Sequence, residues 1–124
     1  MVLMSKQPEG KLVAQIKDLL VNRGARPFKI VGSEEGYQEI GIPDLLVCYT
    51  GLFIGAEVKQ PGGKLRPAQR VLLHEIYVAG GVAAVLETVG QAVTLLSIIE
   101  ERRPVEGPLC FDRGVLHSNG CSFR

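Results

Sequence analysis

Apolar positions recur at helical spacing in three stretches and run almost continuously in two others, and this alternation sets the order of elements. Leu12, Val13, Ile16, Leu19 and Leu20 predict a first helix over Ser5 to Arg23. Pro8 suits its first turn, Glu9 meets the positive end of its dipole, and Gly24 supplies the stop. Pro27 to Val31 reads as a short strand carrying Lys29, and Gly32 to Gly41 as a polar loop. Gly41 to Lys59 is apolar nearly throughout and is broken only by Thr50-Gly51, so it reads as two strands joined by a tight turn. Gln60 to Arg66 is a turn-rich loop. Pro67 opens a second helix through about Ala79, with Val71, Leu72, Leu73, Ile76 and Tyr77 as its buried residues. After Gly80-Gly81, Val82 to Val89 is a core strand, and Gln91 to Arg103 a third helix with Val93, Leu96 and Ile99 facing inward. The order is α-β-β-β-α-β-α. A strand–helix–strand crossover after the hairpin requires a central mixed β-sheet flanked by helices on both faces, an α/β architecture. From Pro104 the pattern dissolves, so the chain divides into a core of residues 1–103 and a C-terminal tail of residues 104–124. An extra strand, a dimer arm and a disordered segment are all compatible with that tail.

The hairpin holds the chemistry. With Thr50 and Gly51 as its loop, Tyr49 pairs with Leu52 and Asp44 lies opposite Glu57 on one face, Cα atoms about 4.5–5.5 Å apart. Lys59, two residues beyond Glu57, shares that face. Two like charges so close are unfavourable unless a cation sits between them. The plainer alternative is a charged strand end with Asp44 capping a turn after Pro43. Against it stand the neighbours, apolar on both faces: Leu46, Cys48 and Phe53 beside the charges, Leu45, Val47, Ile54 and Val58 behind them. A strand expected to be buried on both faces holds charges where they are paired or coordinated.

Composition narrows the picture further. At 124 residues, with 46% apolar and 22% charged residues, the chain fits one globular domain. A net charge of +1 supplies no global field for nucleic acid or membrane, but Lys59, Lys64, Arg66 and Arg70 follow one another without an acidic residue before Glu75, a local charge of about +4 able to hold phosphates. Three cysteines and an N-terminus without an apolar signal segment fit a reducing, cytoplasmic compartment. Val82 to Ile99 is interrupted by Glu87, Gly90 and Gln91, and so reads as a strand plus a helix rather than a membrane span. Cys110, His117 and Cys121 are soft ligands, but no C-x-x-C pair and no fourth ligand completes a zinc site.

The series Glu9…Gly24…Lys29…Gly41-x-Pro43-Asp44…Glu57-x-Lys59…Gln69, with Pro-Gly-Gly-Lys-Leu-x-Pro-x-Gln after the lysine, resembles the VRR-NUC (virus-type replication-repair nuclease) domains of the PD-(D/E)xK restriction-endonuclease-like superfamily. The similarity covers roughly residues 8 to 100, leaving the last twenty without a counterpart. The resemblance implies a restriction-endonuclease-like core and a nuclease of stand-alone phage or bacterial type, dependent on Mg²⁺ or Mn²⁺. Asp44 and Glu57 would bind the metal with the Val58 carbonyl, and Glu9 would reach it from the first helix. Lys59 would position the attacking water and stabilise charge on the phosphate, and Gln69 would complete the site.

The chemistry agrees on its own terms. Phosphodiester hydrolysis needs a nucleophile near neutral pH and neutralisation of charge on the phosphate, and hard oxygen ligands around Mg²⁺ supply both. His74 and His117 lack a partnered nucleophile, and neither G-x-S-x-G nor a P-loop is present. The expectation is a structure-specific endonuclease of branched DNA such as Holliday junctions, with Lys29, Lys64, Arg66 and Arg70 on the nucleic acid. Alternatives are a flap or nicking nuclease of the same mechanism and a DNA-binding module that has lost cleavage. Leu95, Leu96, Ile98 and Ile99 form an apolar band wider than one packing stripe needs, which predicts a homodimer unless Leu109, Phe111 and Leu116 of the tail cover it.

Overall fold

Pro8 and Gly24 bracket α1 (Glu9–Asn22) in the computed structural model, which describes residues 8–31, 40–102, 107–117 and 120–124. Gly24, at φ +88°, turns the chain so that the Ala25 amide donates back to the Leu20 carbonyl. β1 (Arg26–Lys29) follows, then β2 (Leu45–Tyr49) and β3 (Leu52–Val58). Thr50 and Gly51 both have positive φ, the two-residue turn whose twist matches that of the flanking strands. The register puts Tyr49 opposite Leu52 and Leu45 opposite Ala56, as the turn position requires. Continued by one step, it sets Asp44 against Glu57.

α2 (Pro67–Val78) crosses to β4 (Val82–Leu86), and α3 (Val89–Glu101) leads from β4 to β5 (Leu109–Asp112) and β6 (Val115–His117). Thr88 caps α3, its hydroxyl accepting from the Gln91 amide at 3.0 Å. The six strands form one mixed sheet in sequence order, with β3–β4 and β4–β5 parallel and the other pairs antiparallel. The fold class is as the hydrophobic pattern has it, α/β with helices on both faces. The element order gains two strands, because part of the tail extends the sheet beyond β4. Those strands escaped the pattern because they are only four and three residues long.

Alternation along the strands sorts the core. Leu45, Val47, Ile54, Ala56, Val58, Val82, Ala84, Leu86, Leu109 and Phe111 face α1 and α3, while Ala83, Val85 and Cys110 face α2 and Phe123. Tyr49 ties α1, α3 and the hairpin together: its hydroxyl donates to Glu100 Oε2, which also accepts from Arg23 Nη2 at 3.3 Å. Leu95, Leu96 and Ile99 are buried between the sheet and α1, so the apolar band on α3 is consumed within the chain and leaves no dimer face there. Of the tail residues expected to cover it, Leu109 and Phe111 join that core and Leu116 stays exposed.

Two inward-facing expectations fail locally. On α2 only Leu73 is fully buried, and Val71 is 54% exposed, because Gly55 and Ile76 set the helix rotation. A Cβ at residue 55 would stand 2.5 Å from Ile76 Cδ1. The face carrying Asp44 and Glu57 is also less buried than the run implies, since α2 leaves Cys48 and Phe53 open to solvent. Residues 5–7 of the expected first helix, residues 32–39 of the expected loop, and residues 103–106 at the boundary between core and tail lie outside the described residues. Among the described residues, no helix is long and apolar enough to cross a membrane.

Candidate active site

Glu57 is the unusual residue of this sheet, a carboxylate 2% exposed on the last turn of the pleat before β3 ends. Gln69, in the first turn of α2, donates its Nε2 to Glu57 Oε1 at 3.1 Å. Its Oε1 accepts from the Arg66 amide at 2.8 Å, which fixes the amide orientation. Lys59 Nζ stands 4.0 Å from the same Oε1, with its side chain 11% exposed. Glu57 Oε2 is buried and meets no donor among the described residues.

Asp44 faces it across the hairpin. Its Oδ2 accepts from the Val58 amide at 2.8 Å, and its backbone carbonyl accepts from the Ile30 amide at 2.9 Å. Gly41 makes that approach feasible. At φ +90° it lies against the start of α2, where a Cβ would stand 2.4 Å from the Ala68 carbonyl oxygen. Thus the Gly41-x-Pro43-Asp44 stretch and Gln69 meet through a contact that only glycine permits.

Burial pushes the Glu57 carboxyl up to about 9, and the Asp44 carboxyl adds to this through a shared hydrogen bond and its charge. Lys59 works in the opposite direction and Glu9 adds weakly to the rise. Two carboxyls can bond to one another only through a shared proton. Once both are ionised each is an acceptor, and Oε2 then needs a cation. That orphaned, buried oxygen beside a second carboxylate is what hard-cation coordination requires, and the residues fit a divalent ion. Among the described residues no group of three or more His, Cys, Asp or Glu side chains is placed to hold a metal. The Cys110, His117 and Cys121 set is therefore not assembled as a zinc centre, and Glu9 does not join Asp44 and Glu57 as a third carboxylate of one cluster.

One solved structure, described as "VRR_NUC domain", is similar to this chain with a TM-score of 0.57 and 29% identity. The alignment covers 72% of this chain and 94% of that one. The chain has the VRR-NUC fold. No protein-family model and no curated protein matches the sequence. The VRR-NUC likeness supports a nuclease-type domain.

On this VRR-NUC frame the sequence-expected residues separate into two groups. Asp44, Glu57, Lys59 and Gln69 come together on the α2 side of the sheet. Val58 points its side chain into the opposite core, leaving only its backbone at the site. Glu9 is exposed in the first turn of α1, near enough for its charge to act on Glu57. Lys64 and Arg66 are exposed on the loop and at the start of α2. Arg70 is partly engaged elsewhere, its Nη2 donating to the Ser122 carbonyl at 3.2 Å. Lys29 does not join them. It pairs with Leu45 in the register, which sets it on the face opposite Glu57. The sequence reading missed Glu87, which lies at the end of β4 as Lys59 lies at the end of β3. A charge directly after a fully buried strand was the available signal.

Proposed function

We propose that the chain is a Mg²⁺- or Mn²⁺-dependent endodeoxyribonuclease acting on branched DNA such as Holliday junctions. The observation that carries this reading is Glu57 Oε2, buried without a donor beside Asp44, with Lys59 on the same face. Asp44 and Glu57 would hold the metal, with the Val58 carbonyl as a further ligand and Glu9 approaching from α1. When bound, the ion would acidify water and polarise the scissile phosphate.

The protein's own groups do the rest. Gln69 keeps Glu57 Oε1 fixed, so the carboxylate need not reorganise during the reaction. Lys59 orients the attacking water and stabilises charge developing on the phosphate oxygens, from a stem shielded from solvent where its field is screened less. Lys64 and Arg66 hold flanking phosphates, with Arg70 contributing less because of its bond to Ser122. Lys29 would meet only a DNA arm that passes around the β1 edge.

Structure rather than base sequence is the cue in this proposal. Among the described residues, every strand lies in the one sheet and each helix packs on it, so no element stands apart to enter a major groove. The proposal includes a homodimer, whose two sites would match the two-fold symmetry of a four-way junction, through a surface other than the buried stripe of α3. Labelled linear, flapped and four-way DNA incubated with Mg²⁺, Mn²⁺ or EDTA tests it. Divalent-dependent cleavage of the four-way substrate is expected. Preference for the flap would replace the substrate with that of a flap nuclease. Binding of branched DNA without cleavage by either metal would leave a DNA-binding module.

A further inference from the structure

Glu87, at the end of β4, is hydrogen-bonded to the loop that follows Lys59. Gln60-Pro61-Gly62-Gly63 forms a tight turn, closed by the Gly63 amide on the Gln60 carbonyl at 2.8 Å. Proline at its second position and φ +81° at Gly62 make it a type II turn. In that type the central peptide is flipped relative to type I, so the direction of the Gly62 N–H identifies the turn. That N–H donates to Glu87 Oε2 at 2.8 Å.

The turn in turn lies on the lysine. A Cβ on Gly63 would stand 3.3 Å from Lys59 Cβ and 3.5 Å from its Cδ, so the Gly63 backbone packs along the aliphatic stem. The lysine itself is anchored by its amide to the Leu86 carbonyl at 3.0 Å, the residue before Glu87. Glu87 is held in its own place from two directions. Its amide donates to Gln91 Oε1 at 2.7 Å, and its Oε2 pairs with Arg113 Nη1 at 3.3 Å. Arg113 occupies the β5–β6 turn at φ 52°, and its amide donates to the Val85 carbonyl at 2.9 Å.

We infer that Glu87 is a positioning residue for Lys59, and that the C-terminal β5–β6 hairpin steadies this arrangement through Arg113. The sequence of contacts runs from Arg113 to Glu87, from Glu87 to the Gly62 amide, and from the turn to the Lys59 stem. The role assigned to Lys59 rests on the nuclease reading above; the contacts that hold its stem do not. This gives the last part of the chain a function within the site, exerted through Arg113 on Glu87. A carboxylate is suited to the position because one oxygen accepts from a neutral amide and from a guanidinium together.

The test reads Lys59 directly. Full-length protein is treated with an amine-reactive acetylating reagent, and modification of Lys59 is followed by peptide mass spectrometry, with Lys64 as the exposed reference. Glu87→Ala and Arg113→Ala should raise the Lys59 rate relative to Lys64, by on the order of tenfold for Glu87→Ala and less for Arg113→Ala. Glu87→Gln, whose amide oxygen still accepts from Gly62, should fall between wild type and Glu87→Ala. The double variant should be no more reactive than Glu87→Ala alone, since the two act in series. Where cleavage is measurable, kcat should fall about tenfold to a hundredfold with KM nearly unchanged. An unchanged Lys59 rate in both single variants that still melt cooperatively overturns the inference, and Arg113→Ala decides it if Glu87→Ala does not fold. Faster Lys59 labelling with no cleavage by any variant or by wild type leaves the positioning intact and removes the nuclease reading instead.

Discussion

On one face of the sheet Leu45, Val47, Ile54, Ala56 and Val58 meet two helices and are sealed from water. On the other, the residues between them in the same strands are Leu46, Cys48, Phe53, Gly55 and Glu57, and they meet one helix that leaves Cys48 and Phe53, the latter 49% exposed, in solvent. The backbone is shared, so the difference comes only from alternation and from how much helix covers each side. The first face is built for stability. The second carries a buried carboxylate that costs stability, and it is tolerable because the first stabilises the strand that bears it. One strand thus serves as core on one side and as site on the other.

Variants on β3 would separate the two uses most strongly. Glu57→Gln, and Asp44→Ala across from it, should reduce metal-dependent cleavage to background while the metal-free protein stays folded, its melting temperature unchanged or raised. Turnover near wild type in either variant would remove both residues from the site. Ile54→Ala, three residues earlier on the core face, should cost about 2–5 kcal/mol in urea titration. Cleavage per folded molecule should stay at the wild-type level. If Glu57→Gln destabilised as much as Ile54→Ala, the division of labour between the faces would be wrong.

The pH dependence of the metal-free protein sharpens the same contrast. The folded Glu57 carboxyl is raised from 4.5 to about 9 by burial and by Asp44. Between these values the native state keeps a proton that the unfolded chain has lost, so stability is full below 4.5 and declines as pH rises towards 9. Melting temperature should fall across that window in EDTA, and Mg²⁺ or Mn²⁺ should flatten the decline. Glu57→Gln should flatten it without metal. A decline that is the same in Glu57→Gln would assign it to other groups.

The smallest expected effect concerns the exposed charges beside the site. Neutralising Lys64 and Arg66 should weaken DNA binding at low salt and reduce the slope of log K against log salt by about two. Fold and cleavage chemistry should be unaffected. The same replacement at Lys29, on the opposite face, should change the slope less. Equal changes at both places would mean that DNA wraps the sheet edge rather than lying along the α2 face.

How far the sequence could be read follows from the range of each interaction. The turn at Thr50-Gly51 and the strict alternation of a strand put Asp44, Glu57 and Lys59 on one face, and both are local properties. Gly24 and Pro67 mark helix ends for reasons confined to one turn of backbone. The family resemblance drew on these same positions. Gln69 and Glu9 were named through it, since nothing local ties a residue in α2 or α1 to a carboxylate in β3.

What the sequence determined by itself, then, is the hairpin with its register, the helices at their breakers, and hence which face carries the charges. Tertiary structure decided everything that depends on contacts between distant segments. It turned α1 onto α3, which buried the apolar band read as a dimer face, and it rotated α2 about Gly55 and Ile76 so that Val71 faces solvent. It added β5 and β6 to the sheet, because strands this short gain their stability from their neighbours, β5 from parallel pairing with β4 and β6 from antiparallel pairing with β5, rather than from a pattern of their own. It also brought Glu87 and Arg113 to the loop after Lys59, 25 residues or more away along the chain. No periodicity encodes that distance, since it is closed only when β3, β4 and β5 lie side by side.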